Sequence, residues 1–348
     1  MDDVMIREMR AGEAGDIVKG QRRAFGFPFS LFVSRPKTAL VAVRDEKIVA
    51  AVTYKIITTP RGKVGYLDVA YTDAEERGGG LGSRLYKATM DTLKDQGCGD
   101  ITATIRDDNR PSWKIMERNG AAPLPFYRMI KPYGLTGAVK LALTGHLPYA
   151  LGHEMWVTGY EARPSAWGAL PGFLVINALL MMLAFKGSVL TALGGLAVLA
   201  VEVAAGYLGT LGTRGRWYLQ RPHGGLALSV FISAIQGLLP SIGVWQLKED
   251  SYDVKDRAGL LGRSSLYSWI ATLLMTAGSY GLLKSGVEGP GTLFLNGAVN
   301  LGFMLLIYRI LALFPFESFG GKRVWDWNRW GYGVAAAASA AVVLWVAV

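Results

Sequence analysis

The sequence has little sulfur and few imidazoles: one cysteine, Cys98, and three histidines stand among 348 residues. A single thiol cannot form an internal disulfide, and so few soft ligands leave little with which to build a metal site. Charged residues are also scarce, at 18%, whereas hydrophobic residues make up 51% of the chain. These values exclude a disordered chain, a collagen and a disulfide-stapled scaffold. The length fits two ordinary domains.

Acidic residues are fewer than basic ones, 27 against 37, which gives a net charge of +10. On a soluble protein such an excess would point to nucleic acid as a partner. Here the apolar excess makes a membrane surface the better explanation, because anionic headgroups attract basic loops. We therefore predict a lipid bilayer as a partner and no nucleic acid.

Long apolar runs are absent before about Ala166 and frequent after it. Each has about 18 to 24 residues, close to the length with which a helix crosses a ~30 Å hydrocarbon core. Within them only Glu202 and Arg309 are charged. This pattern predicts an all-α polytopic membrane domain over residues 167–348. The six runs are Gly168–Phe185, Ser188–Leu211, Gly224–Trp245, Ser265–Leu283, Gly291–Leu313 and Gly331–Val348.

The distribution of basic residues predicts how these runs are arranged. If all six crossed, eight of twelve basic loop residues would lie outside, against the positive-inside rule. If Gly224–Trp245 instead enters the membrane and returns to the same side, ten of the twelve basic loop residues lie inside. The glycines and the proline of this run also make it a poor straight helix. We predict an integral cell-membrane protein with five spans and one re-entrant segment, 224–245. Because the first residues lack the apolar core of a signal peptide, we expect the N-terminal half to face the cytoplasm.

The first 130 residues alternate between helix-like and strand-like stretches, which indicates a mixed α/β domain over residues 1–130. After it, we predict an amphipathic linker over residues 131–166. Its segment Leu135–Val157 mixes apolar and basic side chains, and we expect this segment to lie on the membrane surface. The predicted helices are Ala11–Lys19, Arg84–Gln96 and Pro111–Asn119, and the predicted strands are Thr38–Arg44, Lys47–Lys55, Val64–Tyr71, Ile101–Ile105 and Pro125–Ile130.

A glycine-rich segment, Arg77–Ser83, lies between a predicted strand and a predicted helix. Glycines allow backbone N–H groups to approach a phosphate, and the helix N-terminus adds partial positive charge. The spacing fits neither the P-loop nor the dinucleotide-binding loop of a Rossmann unit. The segment therefore predicts an anion-binding loop of another kind.

The spacing Arg77-x-x-Gly80-x-Gly82 resembles the pyrophosphate loop of GNAT acetyltransferases, Arg/Gln-x-x-Gly-x-Gly/Ala. The later segment 109–121 resembles the second signature of that family, Asn-x-x-Ala/Ser followed by Leu-Tyr-Glu-Lys-x-Gly-Phe. The resemblance covers about residues 4–130. It implies the GNAT fold, a mixed sheet with flanking helices, and acetyl-CoA as the acyl donor.

The resemblance also implies which residues hold acetyl-CoA. Amides of the glycine-rich loop would bind the pyrophosphate, the edge of the preceding strand would pair with the pantetheine arm, and Asn109 would lie beside that arm. The complete implied set is Val69, Ala70, Tyr71, Arg77, Gly78, Gly79, Gly80, Leu81, Gly82, Ser83, Asn109 and Ser112.

The catalytic groups are less well marked. The tyrosine that often serves as general acid in the family falls at Met116, which cannot donate a proton. Either another group acts as general acid, for which we name Tyr127, or the CoA thiolate leaves the thioester without a proton donor. Asp68 and Glu76 are the candidate general bases, and the alternative for each is a solvated surface carboxylate.

Three segments of the apolar half, within about residues 188–330, resemble the site-2 protease family: 216–225, 256–265 and 313–328. By this resemblance the two zinc-binding histidines would fall at Val201 and Ala205, and the zinc-binding aspartate at Gly320. None of these can coordinate zinc. The general-base glutamate remains as Glu202. The resemblance therefore implies a pseudoprotease-like membrane domain without a metal.

We therefore predict a membrane-tethered acetyltransferase that moves an acetyl group from acetyl-CoA to an amine. The acceptor stays open between a protein amine, a small molecule and a lipid headgroup, as does an oligomer or a membrane partner. The alternative is an acetyl-CoA-binding regulatory or scaffold protein with little catalysis. An intramembrane protease is the third hypothesis.

Overall fold

The chain divides into two compact units, Met1–Ala162 and Arg163–Val348. The division falls close to the change in composition near Ala166. Most of the segment expected to be a linker, 131–166, thus belongs to the first unit. The computed structural model describes residues 4–25, 30, 33–106, 109–150, 152–161, 165–213, 215–221, 224–247, 254–312 and 316–348.

Seven strands within the described residues form one mixed sheet in the first unit, in the order β1-β2-β3-β4-β5-β7-β6. Strands β4 and β5 are parallel, and every other neighbouring pair in this sheet is antiparallel. The strands are β1 (Met5–Glu8), β2 (Ala39–Arg44), β3 (Lys47–Thr59), β4 (Gly62–Thr72), β5 (Cys98–Ile105), β6 (Ala121–Pro123) and β7 (Glu154–Thr158).

Helices cover both faces of this sheet: α1 (Ala14–Phe25), α2 (Leu81–Asp95), α3 (Arg110–Arg118), α4 (Phe126–Thr144) and the short α5 (His146–Ala150). Alternation along β2 shows why two faces exist. Leu40 and Ala42 lie in the core under α2 and α3. Val41 and Val43 lie in the core under α1. Side chains of a strand point alternately to its two faces, so one apolar strand serves both cores. The predicted mixed sheet with flanking helices is confirmed.

The turn between β2 and β3 is formed by Asp45 and Glu46, as predicted. Both residues have positive φ, 49° and 60°. Two consecutive positive φ values are typical of the type I′ turn, whose twist matches that of two paired strands. The turn therefore sets the register of β2 on β3.

The predicted strand Pro125–Ile130 is wrong, because helix α4 begins at Phe126. Met129, Tyr133 and Leu141 are buried along α4, at helical spacing. A six-residue window is too short to separate this spacing from the alternation of a strand. The last strand is instead β7, which lies in the expected linker and pairs with β5 and β6.

The second unit is mainly helical: α6 (Leu170–Ala184), α7 (Val189–Leu208), α8 (Leu226–Ala234), α9 (Val254–Lys284), α10 (Pro290–Ile310), α11 (Gly321–Trp327) and α12 (Arg329–Ala347). Of the helices in the described part of this unit, four are long and apolar enough to cross a membrane: α7, the 257–284 portion of α9, α10 and α12. Helix α6, predicted as a fifth span, has 15 residues, fewer than the ~20 that a crossing helix needs.

The predicted re-entrant segment, 224–245, does not form one straight helix. Its helix α8 has 9 residues. The segment joins β8 (Trp217–Gln220) to β9 (Val244–Leu247), and these strands pair with Gln220 opposite Val244. The segment between these two strands therefore begins and ends at the same place in the second unit. Asn177 of α6 fastens the returning part, since its Nδ2 donates to Ser241 O at 3.0 Å and its Oδ1 accepts from Ser241 N at 2.9 Å.

Helices α7 and α10 approach each other closely at glycines. An added Cβ on Gly297 would lie 1.8 Å from Thr191 O, and one on Gly194 would lie 1.9 Å from Phe294 O. Small residues let helix backbones pack closely, as they do between membrane helices. The close α7–α10 contact thus requires glycine at both positions.

We predict that Gly297→Ala destabilises the full chain by at least ~1–3 kcal/mol, because the added methyl group overlaps the α7 backbone. Gly278→Ala in α9 is the matched control, since its Cβ would meet nothing within 4 Å. There alanine should be neutral or slightly stabilising. Thermal unfolding of the purified full chain measures both variants, and equal midpoints would contradict the assigned α7–α10 contact.

Candidate active site

Strands β4 and β5 separate before either ends. Their parallel pairing runs from Lys63 opposite Cys98 to Leu67 opposite Ala103, yet β4 continues to Thr72. The pairing of β3 with β4 shifts at the same place, where one residue of β3 faces two of β4. Such a bulge bends the strand that carries the extra residue. We call the region beyond this point, residues 68–72 of β4 and 104–105 of β5, the fork.

The edge of β4 that faces the fork has unpaired backbone groups. The backbone groups of Val69 point to β3, because the N–H donates to Thr53 Oγ1 at 3.0 Å and the C=O accepts from the same hydroxyl at 3.2 Å. Asp73 N–H also points to β3 and donates to Val49 O at 2.9 Å. Neighbouring residues of a strand point their backbone groups to opposite edges. The N–H and C=O of Ala70 therefore face the fork, as an extended ligand such as pantetheine requires.

The glycine-rich loop leads from the end of β4 into helix α2. Gly78 and Gly80 have φ values of 90° and 76°, which favour glycine. Arg77 holds the loop to β4 through a bond from its Nε to Thr72 O of 3.1 Å. The loop begins after a short 3-10 turn, Ala74–Glu76.

This loop has backbone N–H groups at an open surface. No hydrogen bond recorded for the described residues uses the backbone N–H groups of residues 78–83. Helix α2 has no side-chain cap at Gly80 and no acidic residue in its first turn. A Cβ on Gly78, Gly79 or Gly80 would meet nothing within 4 Å, so the surface is open. Free N–H groups at a helix N-terminus are suited to a phosphate group.

The second set of predicted acetyl-CoA residues lies at the start of α3. Asn109 caps this helix, with its Oδ1 accepting from Ser112 N at 3.4 Å. The hydroxyl of Tyr86, on α2, is hydrogen-bonded to Ser112, and burial raises the pKa of Tyr86. The core under this face of the sheet contains side chains of both α2 and α3. The loop, α2 and the start of α3 therefore lie on one face.

Four polar side chains meet on the opposite face, at the fork. Asp68 Oδ2 accepts from Lys55 Nζ at 2.7 Å, and that nitrogen lies 6.0 Å from the centre of the Tyr66 ring. The Tyr66 hydroxyl donates to Thr104 Oγ1 at 3.0 Å. We call Lys55, Tyr66, Asp68 and Thr104 the fork cluster. Burial raises the pKa of Tyr66, so its hydroxyl stays protonated and acts as a donor.

Sequence reasoning found Asp68 but missed the other members of the fork cluster. Tyr66 stands two residues before Asp68, and that spacing alone puts both side chains on one face of β4. Lys55 and Thr104 belong to other strands and could be placed only through the register of the sheet.

The remaining predicted catalytic residues lie elsewhere in the first unit. Glu76 Oε1 accepts from Arg44 Nη1 at 2.7 Å, at the end of β2. Tyr127 is exposed in the first turn of α4, with the Arg128 guanidinium 6.0 Å from its ring centre. Met116 is completely buried in the core of the unit. The recorded contacts of Glu76 and Tyr127 thus do not include the fork cluster.

Tyr71, expected at the acetyl-CoA edge, directs its side chain to the α1 face. Its hydroxyl packs against Gly20 of α1, where an added Cβ would lie 2.3 Å away. The hydroxyl is buried without a hydrogen-bond partner among the described residues, and burial raises its pKa to about 12. Tyr71 pairs with Ala51 of β3, and the alternation along β4 turns its backbone groups toward β3. Neither the hydroxyl nor the backbone of Tyr71 therefore faces the fork.

The second unit holds a buried ion pair between Glu202 of α7 and Arg309 of α10, formed by Glu202 Oε1 and Arg309 Nη2. Arg309 Nη1 donates to Thr272 Oγ1 at 2.7 Å and to Ser268 O at 3.1 Å, both on α9. Arg309 Nε donates to Phe319 O at 3.0 Å. One guanidinium thereby joins three helices to the turn before α11.

The three positions expected to lack metal ligands carry Val201, Ala205 and Gly320. Gly320 caps α11 with a φ of 93° and approaches Ser265 of α9. Among the residues that the structure describes, no group of three or more His, Cys, Asp or Glu side chains could hold a metal ion.

Comparison with known proteins bears on the first unit. Residues 11–121 match the model of the acetyltransferase (GNAT) family. N-alpha-acetyltransferase 30 of Schizosaccharomyces pombe is 27% identical over 132 residues, 35% of this chain and 84% of that protein. Thialysine N-epsilon-acetyltransferase of Bos taurus is 26% identical over 145 residues, 35% of this chain and 85% of that protein.

Among solved structures, the NatC complex bound to Gag peptide and CoA contains a chain with 13% identity and a TM-score of 0.34; the match covers 46% of this chain and 99% of that one. The family model lies within the first unit and covers about a third of the whole chain. The first unit thus carries a GNAT acetyltransferase domain, and the prediction of an N-acetyltransferase is confirmed.

We predict that Gly79→Asp weakens CoA binding by at least about tenfold, because it adds a carboxylate to the phosphate cradle. Gly79 suits this test better than Gly80, since its φ is not in the left-handed region and its Cβ would be unobstructed. Gly79→Asn is the matched control, with the same shape and no charge. Calorimetry with the full chain measures both, and equal affinities for the two variants would argue against a phosphate at this loop.

Proposed function

We propose that this chain is a membrane-tethered enzyme that transfers an acetyl group from acetyl-CoA to an amine near the bilayer. One observation carries the proposal: an open cradle of backbone donors adjoins a fork between parallel strands, inside the segment that matches the acetyltransferase family. Four helices of membrane-crossing length, found within the part of the chain that the structure describes, support the tether. The basic loops support a cytoplasmic position for the acetyltransferase domain.

The chemical groups of acetyl-CoA match the groups that the protein offers along the loop and the fork. Its pyrophosphate is an anion, and the loop at residues 78–83 supplies free N–H groups and no carboxylate. Its pantetheine arm carries amides, which match the unpaired N–H and C=O of Ala70. Asn109 and Ser112 would line the same face. The thioester would then reach the fork cluster, on the acceptor side.

The reaction needs an amine that has lost a proton. The neutral amine nitrogen attacks the thioester carbonyl, the new C–N bond forms, the C–S bond breaks and the CoA thiolate leaves, while the nitrogen loses its extra proton to water. Asp68 is the candidate base, since its carboxylate is partly exposed at the fork and paired with Lys55. Tyr66 acts as a positioning donor beside Thr104. Glu76 and Tyr127 are secondary candidates because their contacts lie outside this cluster.

The departing thiolate has no tyrosine at the usual family position. Met116 is buried and carries no acidic proton. The thiolate therefore leaves as an anion or takes its proton from water at the open end of the fork. The lack of a general acid at Met116 favours amines that are nucleophilic enough to attack the thioester once they are neutral.

We predict that Tyr66→Phe lowers kcat by about 10–100-fold with little change in the KM for acetyl-CoA, because it removes a donor that orients the reacting groups. Tyr133→Phe is the matched control. It removes another buried hydroxyl, which donates to Asp100 Oδ2 at 2.8 Å near the opposite end of β5. Steady-state kinetics of the full chain with a test amine compares them, and equal losses in both variants would mean that the effect is structural.

A regulatory acetyl-CoA-binding module is the second candidate function. The absence of tyrosine at Met116 and the ion pairs of Asp68 and Glu76 favour it. Such a module would bind CoA tightly, and slow hydrolysis of acetyl-CoA would be its sole turnover. Transfer to an amine that disappears in Asp68→Asn, with CoA affinity unchanged, would exclude this alternative.

For the second unit we propose a pseudoprotease-like membrane domain that binds no metal. The resemblance to site-2 proteases assigns the general base to Glu202 and a lost metal ligand to Gly320. Arg309 supports this proposal, because it bonds to Glu202 and to the carbonyl of Phe319, directly before Gly320. A guanidinium thus provides positive charge beside Glu202 and leaves that carboxylate engaged.

We predict that Glu202→Gln retains acetyltransferase activity and that the purified chain contains no stoichiometric zinc. The glutamine oxygen can still accept from Arg309, so the unit should stay folded. Arg309→Met should cost about 3–5 kcal/mol of stability, since it leaves a carboxylate unpaired in the helix bundle. One zinc per chain by elemental analysis, or cleavage of a membrane substrate that requires Glu202, would contradict the pseudoprotease assignment.

A further inference from the structure

Helix α4 has apolar side chains on both of its faces. Met129, Tyr133 and Leu141 are buried against the sheet. A helix on the surface of a soluble domain normally presents polar residues on its outer face. Helix α2 follows this rule, and its exposed residues include Arg84, Lys87, Asp91 and Lys94. Helix α4 departs from it.

The outer face of α4 carries a row of exposed apolar side chains. Leu135, Val139 and Leu143 are exposed by 60%, 40% and 68%, and they recur every fourth residue along one side of the helix. Before the kink at Gly134, Tyr127 is exposed by 62%. We call this set the apolar row. An apolar row of this length on a domain surface marks a contact with another phase or molecule.

The charges around the apolar row have one sign. Arg128, Lys131 and Lys140 are exposed on the same helix. Residues 126–152 contain no aspartate or glutamate. The outer face of α4 is thus apolar and basic together, the combination that binds at the interface of an anionic bilayer.

We propose that α4 is an interfacial helix, whose apolar row enters the headgroup boundary of an anionic bilayer while its basic residues contact lipid phosphates. We assign a bilayer as the partner because residues 126–152 offer basic side chains and no aspartate or glutamate, and because four helices of membrane-crossing length lie within the described residues of the same chain. The inference rests on the membrane location in the proposed function. It assigns α4 as a second contact, made by the acetyltransferase domain itself.

This contact has a consequence for the acceptor. Helix α4 packs on Val64 and Tyr66, on the face of the sheet that holds the fork cluster. Docking of α4 therefore places the acceptor side of the fork next to the lipid headgroups. Amines near the headgroup region, on lipids or on membrane proteins, would have a high effective concentration there.

The test uses the full chain in nanodiscs of phosphatidylcholine mixed with phosphatidylglycerol. An environment-sensitive fluorophore is attached at Val139→Cys, and at Lys87→Cys on α2 as the control. Cys98 is buried and should label little. We expect quenching of the Val139 label by spin-labelled lipid and protection from iodide, with the opposite behaviour of the Lys87 label. Replacing Arg128, Lys131 and Lys140 by serine should increase iodide access at Val139 severalfold.

Each outcome decides the inference. Iodide quenching at both labels would show that α4 faces water, and shielding of Val139 from both quenchers would show that protein covers it. Either result overturns the inference. Extraction of the membranes with alkaline carbonate separates the two proposals. A chain that stays in the membrane while its Val139 label is quenched by iodide contradicts the interfacial helix alone, whereas a chain released by carbonate also contradicts the membrane tether.

Discussion

The candidate site depends on the end of pairing between β4 and β5 at Leu67 and Ala103. Thr53 binds both backbone groups of Val69, which fixes the bulge and turns β4 away from β5. Ala70 is left with backbone groups that need a partner, because unpaired N–H and C=O groups are costly when they are covered. A ligand with amides can supply that partner. The fork also connects the face of the sheet that carries the glycine-rich loop with the opposite face, which carries the fork cluster. Acetyl-CoA and the amine can therefore approach from opposite faces of one sheet.

Local patterns in the sequence were sufficient for part of this arrangement. The glycine-rich loop and the helix after it could be predicted, because glycines with positive φ at Gly78 and Gly80 mark a turn before a regular helical period. The sequence predicts a strand over Pro125–Ile130 where α4 begins, because the helical period of α4 becomes visible only over a longer stretch than six residues. The fork cluster was missed except for Asp68, because Tyr66 and Thr104 meet only through the register of two strands 38 positions apart.

In the second unit, composition predicted apolar helices and a broken segment, yet it could not show which side chains meet. Glu202 and Arg309 are 107 positions apart and pair only after three helices pack together. Gly194 of α7 and Gly297 of α10 permit the close contacts with Phe294 and Thr191 that bring these two helices together, and the sequence alone does not show which glycines do this.

The most direct test of the proposed acetyl transfer uses labelled acetyl-CoA with membranes that contain the full chain, and separates the lipid and protein products. We predict label in stable amide linkage that depends on the chain and stays in the membrane fraction. Label recovered entirely as free acetate, with CoA still bound to the chain, would contradict it. That result would leave the first unit as a binding module without acetyl transfer.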